Sequence, residues 1–412
     1  MNKSPRLVAL ETLYSIFYDG SYSNIALDKA LSDIKENKAF ISALVYGVTE
    51  RKITLDYFID KYAQGRIKPK VRIVLWLGAY QLLFMDKVPS SASINESVKL
   101  VKEIKQDYYS KLVNAVLHKI DNDRQIPDDL SVKYSVPENL INMWKKQYGE
   151  DVLNEFLPCI NDKPPLFAIP NKKFVNSDEL LYELECDGIL GEAYDEFVLI
   201  ENANDLTDSK AFKNGLFYIE DLSSFNCANA LDALGDDLVL DMCSAPGGKA
   251  FTISQSMNNS GKIYCYDLHE HRLNLIKNSV KRLSIDNIYT DVNDATVYNE
   301  NIPKADKILC DVPCSGFGII RRKPEIRYKD LDSVKDLPQI QYKILETSSR
   351  YLKNGGRIIY STCTLNKKEN ENVVNKFLKD HSGYKLLKDK TVFPSTVGGD
   401  GFYYAIMVKN EN

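Results

Sequence analysis

A chain of 412 residues has room for two to four domains at roughly 100–200 residues each, so it can bury large cores without disulfide or metal staples. Its composition, 44% hydrophobic and 27% charged with only 20 Gly and 15 Pro, excludes collagen-like, disordered and low-complexity chains. A net charge of −4 argues against a generic nucleic-acid coat, but the charge is unevenly spread: residues 1–125 hold 19 Lys and Arg against 14 Asp and Glu, and the remainder is acidic.

From residue 5 to about 120 the apolar positions recur at helical spacing, as in Ile73, Leu77, Tyr80 and Phe84, which predicts an all-α domain. The longest apolar stretch, residues 71–85, carries Arg72 and Gln81 and is short of the ~20 residues that cross a bilayer, so it reads as a buried helix and not a membrane span. Glu11 interrupts the first apolar stretch, unlike an export signal. Eight cysteines without a Cys-x-x-Cys pair, and only four histidines, suggest neither a zinc site nor a disulfide framework; no metal is expected, and the compartment is read as the reducing cytoplasm. Two basic clusters could meet phosphates: Arg66, Lys68, Lys70 and Arg72 in the helical region, and Arg321, Arg322, Lys323, Arg327 and Lys329 within the acidic remainder. Either is equally readable as a solvated face.

The polar run DNDRQIPDDL is the exit from the helical domain, placing a boundary near 128. Residues 129–210 open with a helical stretch and continue in short mixed segments, a small α+β connector. Beyond 211 strand-like runs alternate with amphipathic helices, the pattern of a parallel sheet covered on both faces. The expected strands are 238–242, 262–267, 287–290, 307–311, 357–361 and 402–409, with a helix carrying Leu273, Ile276, Val280 and Leu283 and a turn at Asn354-Gly355-Gly356.

The first of these strands, LVLDMC, breaks into Ser244-Ala245-Pro246-Gly247-Gly248-Lys249 ahead of a helix. Ligands of such sheets bind beyond the carboxyl ends of the strands, where glycines admit a ligand and a helix N-terminus offers free N–H groups. The turn has neither G-x-G-x-x-G nor the P-loop pattern, which counts against a dinucleotide or nucleoside triphosphate site. Asp267 ends the second strand, where a carboxylate would hold ribose hydroxyls, and Asp294 follows the third; each alone is readable as a helix cap. Cys314 in DVPC and Cys363 in YSTC fall after two further strands, on the same rim, where a thiolate could attack a ligand. Cys159, Cys186, Cys227, Cys265 and Cys310 read as buried structural thiols.

The strings DMCSAPGGKA, DVPCSGFGIIRRKPEIR and YSTCTLNKKENENVV resemble the motifs of the Sun/Fmu family of RNA 5-methylcytosine methyltransferases. The stretch LWLGAYQLLFMDKVPSSASINESVKLVK with KLVNAVLHKI is similar to the NusB-like RNA-binding domain of the branch acting on small-subunit ribosomal RNA, and with KYSVPENLINMWKKQYG and DGFYYAIMVK the likeness spans nearly the whole chain. The resemblance implies a multidomain protein: a NusB-like helical domain (1–128), an α+β connector (129–210) and a Rossmann-like methyltransferase domain (211–412). It further implies S-adenosylmethionine as cofactor, 16S ribosomal RNA as partner and cytosine 967 as target, in a monomer. Cofactor-binding positions would be Cys243, Ser244, Ala245, Pro246, Gly247, Gly248, Lys249, Asp267, Asp294 and Asp311, with Asp291 competing with Asp294. RNA contacts would come from Arg321, Arg322, Lys323, Arg66 and Lys68.

Carbon 5 of cytosine is a poor nucleophile, so a thiolate must first add to carbon 6. The resemblance gives that role to Cys363, product release to Cys314 and the cytosine N3/N4 edge to Asp311; the Pro-Cys cysteine of DNA methyltransferases leaves Cys314 as a rival attacker. Another RNA such as tRNA, a non-catalytic antitermination-type RNA-binding factor and a nicotinamide-dependent oxidoreductase are the competing functions. The chain departs from the family where Ser244 and Ala250 replace Ala and Thr, where Glu220 and Phe225 replace glutamines, and where Ala168-Ile169-Pro170 replaces an Arg-Val/Ile-Asn run.

Overall fold

The computed structural model describes residues 3–202, 206–394 and 398–411, which divide into two compact units: residues 1–162 with 320–331, and residues 163–319 with 332–412.

In the first unit Ser4 caps helix Pro5–Tyr18 by accepting from the Leu7 N–H, with Pro5 at the first helical position. Helices Ser23–Leu31, Lys38–Tyr62, Pro69–Phe84, Ser90–Glu103 and Ser110–Asn122 follow, as the periodicity requires. Pro69–Phe84 is apolar all round and lies at the centre, with Val71, Ile73 through Leu77 and Ala79 buried. Its two polar interruptions are satisfied. Gln81 accepts from Arg6 and donates to the Leu77 carbonyl at 2.6 Å, while Arg72 pairs with Asp56 at 2.5 Å and with Asp60. Gly78 lets neighbouring helices close on this one, because a Cβ there would stand 2.6 Å from the Leu117 side chain.

Segment 320–331 joins this unit although its sequence interrupts the sheet domain. Its Arg327 is fully buried and donates to the carbonyls of Glu50 (2.9 Å) and Ser135 (3.1 Å) and to Asn161 Oδ1 (2.9 Å). The Ser23 N–H and hydroxyl donate to Glu325, and the Tyr328 hydroxyl to the Thr49 carbonyl.

The second unit opens with a four-stranded antiparallel sheet of β1 (Leu166–Pro170), β2 (Gly191–Ala193), β3 (Val198–Ile200) and β4 (Phe217–Ile219) in the order β2-β3-β1-β4. Helix Ser177–Cys186 packs on it behind a capping box of Asn176 and Glu179. The main sheet has seven strands, β5 (Leu238–Asp241), β6 (Lys262–Asp267), β7 (Ile288–Val292), β8 (Ala305–Asp311), β9 (Leu352–Thr362), β10 (Tyr384–Val392) and β11 (Phe402–Lys409), ordered β10-β11-β9-β8-β5-β6-β7. β5 through β9 pair in parallel, as expected for apolar runs alternating with helices, but β11 is antiparallel to both β9 and β10. The sheet is therefore mixed, not purely parallel. The expected turn 354–356 falls within β9, at a register irregularity with Gly355 at φ +74°.

Strand order reverses between β5 and β8, the neighbours from which the sheet is built outward in both directions, and ligands of such folds bind beyond the carboxyl ends at that point.

Candidate active site

β5 ends at Asp241, and the next six residues turn into helix Gly248–Ser256. Gly247 precedes the helix at φ +111°, a backbone conformation open to glycine, and a Cβ on Gly248 would stand 3.1 Å from Glu220 Oε1. The turn is tied to the end of β6: the Ser244 N–H donates to the Tyr266 carbonyl at 2.8 Å, and Arg272 both pairs with Asp267 at 3.0 Å and donates to the Ala245 carbonyl at 2.8 Å. Cys243, Ser244, Ala245, Pro246, Gly247, Gly248 and Lys249 all line a cleft of about 210 Å³, completed by Glu220, Asp221, Ser224, Asp241 and Asp311.

Four carboxylates and one ammonium thus face one small space. Lys249 Nζ donates to Asp311 Oδ2 at 2.8 Å and Ser224 Oγ at 3.1 Å; burial opposes its charge, but Asp311 and Glu220 outweigh burial and keep it protonated. Asp311 is held from its other side by the Ser361 hydroxyl at 2.7 Å, because the register pairs these residues across β8 and β9. Burial, reinforced by Asp311, pushes the Asp241 carboxyl up to about 7 against the pull of Lys249 and of hydrogen bonds from Cys243 and Ser244, and its Oδ1 is buried with no hydrogen-bond partner among the described residues. Burial likewise pushes Glu220 up to about 7 against the pull of Lys249, while Glu220 accepts from the Thr252 hydroxyl at 2.5 Å.

Cys314 and Cys363 follow β8 and β9 on the same edge, their sulfurs 3.2 Å apart and both partly exposed. The bond to Cys363, with burial, raises the Cys314 thiol well above its ordinary range. Glu369, fully buried, fixes the two cysteine loops: it accepts from the Ser315 N–H (2.9 Å) and hydroxyl (2.6 Å), Gln341 Nε2 (2.9 Å) and Asn366 Nδ2 (2.8 Å). Ser315 and Thr364, each one residue beyond a cysteine, join hydroxyls at 2.7 Å. Gly318 and Gly401 close the loops from behind; a Cβ on Gly318 would lie 1.9 Å from the Gly401 carbonyl oxygen and 2.8 Å from that of Cys363.

The other sequence-derived positions are more scattered. Asp267 is buried beside the turn, engaged by Arg272 and by the His269 N–H at 3.1 Å. Asp294 is exposed and accepts from the Thr296 N–H and hydroxyl, and Asp291 is exposed at the end of β7; neither lines the cleft. Arg66 and Lys68 are exposed on the helical unit, and Lys68 reaches Gln106 at 3.1 Å. Arg321 is buried and Arg322 and Lys323 are half-buried, so the second basic cluster is not the open phosphate-facing patch its composition suggests; Arg321 and Arg327 are interior residues. Cys227, Cys265 and Cys310 are buried thiols as expected, whereas Cys159 is half-buried and Cys186 exposed. Sequence reasoning assigned no role to Glu220, Asp241, Ser361 or Glu369; the signal available was position, since Asp241 ends β5, Ser361 is the last residue but one of β9 and Glu369 lies six residues past Cys363. Among the described residues no cluster of three or more His, Cys, Asp or Glu could hold a metal ion, and no helix is long and apolar enough to cross a membrane.

A family model described as 16S rRNA methyltransferase RsmB/F matches residues 228–408, and a model of the NusB family matches residues 3–122. The chain is 32% identical to the probable ribosomal RNA small subunit methyltransferase B of Bacillus subtilis (strain 168), over 98% of this chain and 99% of that protein. Among solved structures, the crystal structure of PH0851 is similar with a TM-score of 0.83 and 27% identity, over 99% of this chain and 100% of that one. NSun6 from Pyrococcus horikoshii with SFG, at TM-score 0.61 and 21% identity over 67% of this chain and 99% of that one, shares the fold.

Proposed function

The chain belongs to the RsmB/F family of 16S rRNA methyltransferases, and on that premise we propose that it methylates carbon 5 of cytosine 967 through a covalent bond between Cys363 and carbon 6. S-adenosylmethionine is the methyl donor and supplies an electrophilic methyl group on a sulfonium. The residues of the cleft fit it: a turn that is bare of side chains at Gly247 and Gly248, carboxylates for its cationic groups and, at the end of the neighbouring strand, Asp267 for ribose hydroxyls.

The observation that carries the reading is the pair of sulfurs 3.2 Å apart on the rim that also holds Asp311 and the glycine turn. In the proposed sequence the Cys363 thiolate adds to carbon 6, and the π electrons of the C5–C6 bond move to carbon 5, which takes the methyl group. Asp311, oriented by Lys249 and Ser361, accepts from the cytosine N4 amino group and so positions the base edge during addition. Solvent water then takes the carbon-5 proton, the C–H electron pair re-forms the C5–C6 double bond and the C6–S bond breaks to release the Cys363 thiolate, with the Cys314 thiol assisting this elimination. The attacking role is given to Cys363 and the assisting role to Cys314, the thiol that the contact with Cys363 and burial raise well above its ordinary range. Asp294 rather than Asp291 is assigned to the donor's adenosine end. The target cytosine is flipped out or already unpaired, since both sulfurs must reach its face. Arg66, Lys68, Arg322 and Lys323 contribute phosphate contacts, and one chain carries every residue invoked, so a monomer suffices.

The test is transfer of tritium from labelled S-adenosylmethionine to 16S ribosomal RNA, followed by bisulfite sequencing. Protection of cytosine 967 is expected, absent from a deletion strain and restored by the gene. Label on another RNA alone, or on a position other than carbon 5, refutes the assignment.

A further inference from the structure

In the proposed methylation one sulfur attacks carbon 6 and the other assists release, so both must reach the cytosine, but neither step needs them to touch each other. Cys314 Sγ and Cys363 Sγ nevertheless stand 3.2 Å apart, about 1.2 Å beyond the length of a disulfide bond, and both residues are partly exposed. The fold sets this approach. β8 and β9 run in parallel register up to the pair Asp311 and Ser361, and each strand gives way to its cysteine within three residues. One residue past the cysteines the Ser315 and Thr364 hydroxyls meet at 2.7 Å, and Glu369 holds the Ser315 N–H at 2.9 Å. The Gly318 N–H donates to the Cys363 carbonyl at 3.0 Å, a second tie between the same two loops. With the backbone fastened on both sides of the pair, the remaining gap is on the scale of a side-chain rotation.

We propose that this pair is an oxidative modification site, at which hydrogen peroxide joins Cys314 to Cys363 in a disulfide that stops methyl transfer until a dithiol reduces it. The Cys363 thiolate attacks one peroxide oxygen, the O–O bond breaks and hydroxide leaves, giving a sulfenic acid. The Cys314 sulfur then attacks the sulfenic sulfur: the S–S bond forms, the S–O bond breaks, and the departing hydroxide takes the Cys314 proton to leave as water. Together the two thiols give up two electrons and two protons, and the peroxide is reduced to two waters. Dithiothreitol reverses the change, its own two thiols being oxidised to a cyclic disulfide as both cysteine thiols return. A neighbouring thiol that resolves the sulfenic acid keeps it from going on to the sulfinic acid, which thiols do not reduce. While the bond is in place no thiolate remains to add to carbon 6. The bond itself rests on the geometry of the two loops; its effect on activity rests on the function proposed above and goes beyond it.

The full chain is treated with hydrogen peroxide, quenched with catalase, unfolded and alkylated, then digested and mapped by mass spectrometry without reduction. Of the eight cysteines, all free before treatment, two are expected to resist alkylation, and a linked peptide should join Cys314 to Cys363 with the mass of two hydrogens missing. Methyl transfer to 16S ribosomal RNA is lost in step with that link and returns with dithiothreitol. Cys186→Ser, which removes an exposed thiol far in sequence from the pair, gives the same link and the same recovery. Continued alkylation of both Cys314 and Cys363, a sulfinic acid on either in place of the link, a link to any other cysteine, or a linked protein as active as the reduced one would overturn the proposal; the wild-type map decides it even if the variant does not fold. An untreated chain without methyl transfer refutes the function proposed above, a result distinct from an active chain whose sulfurs do not join.

Discussion

Glu369 should hold the catalytic rim together, and replacing it by glutamine perturbs that role with minimal change of shape. Its Oε2 accepts from the Ser315 N–H and Gln341, and its Oε1 from the Ser315 hydroxyl and Asn366, all within 2.9 Å. The backbone N–H cannot reverse, so the glutamine must keep its oxygen at the Oε2 position and turn its amide toward Ser315 Oγ and Asn366. Ser315 can redirect its proton to Thr364, 2.7 Å away, whereas Asn366 must flip. Four charge-assisted hydrogen bonds become neutral and one amide is displaced, a loss of about 2–3 kcal/mol given that bonds to charged groups contribute ~1.5–3 kcal/mol each and neutral ones nearer 1. For a unit of this size the Tm should fall by roughly 4–10 °C. Because Ser315 and Thr364 each adjoin a reactive cysteine, kcat should fall at least about tenfold, the order of a small geometric error in a positioned site. Affinity for S-adenosylmethionine should change little. Thermal melts followed by circular dichroism, single-turnover methyl transfer and donor titration measure the three quantities. A Tm within about 1 °C of wild type together with kcat within twofold would refute the reasoning.

The raised carboxyls have a thermodynamic signature. Glu220 is pushed from 4.5 to about 7, so its folded-state contribution is fully present below its unfolded value and is lost as pH rises through 7, on the order of 3 kcal/mol. Glu220→Gln should therefore melt higher than wild type at pH 8 and not at pH 4.5; an equal difference at both pH values contradicts this sign. Asp294→Ala should weaken donor binding more than Asp291→Ala, and the reverse order in calorimetry would transfer the role to Asp291. Charge reversal at Arg66 and Lys68 together should weaken ribosomal RNA binding and flatten its dependence on salt concentration in filter-binding assays, and an unchanged salt slope would remove these residues from the RNA contacts.

What the sequence revealed and what it hid follow from the range of the interactions. β11 was legible over 402–409 because a strand covered on both faces is apolar along its length, with Phe402 through Met407 buried. β10, at the sheet edge, carries Lys385, Lys388 and Lys390 with most of its residues exposed, and its weak alternation gave no strand signal. The antiparallel insertion of β11 between β9 and β10 is a long-range pairing that no local pattern announces. The glycine turn, Asp311 and both cysteines were placed correctly on one rim because strand ends are locally encoded, whereas Glu369 acts by tying together segments 54 and 28 residues away. Segment 320–331 reads as a basic patch; Arg327 is buried because backbone carbonyls of Glu50 and Ser135 replace its water, a fact of tertiary structure alone.

The division of labour between the cysteines is open to a single denaturing gel. Each variant is incubated with S-adenosylmethionine and 16S ribosomal RNA, then heated in detergent. The account predicts that Cys314→Ala accumulates a slow-migrating protein–RNA band, because the adduct forms but is not resolved, and that Cys363→Ala shows none. A band from Cys363→Ala and its absence from Cys314→Ala would make Cys314 the attacking residue and contradict the account.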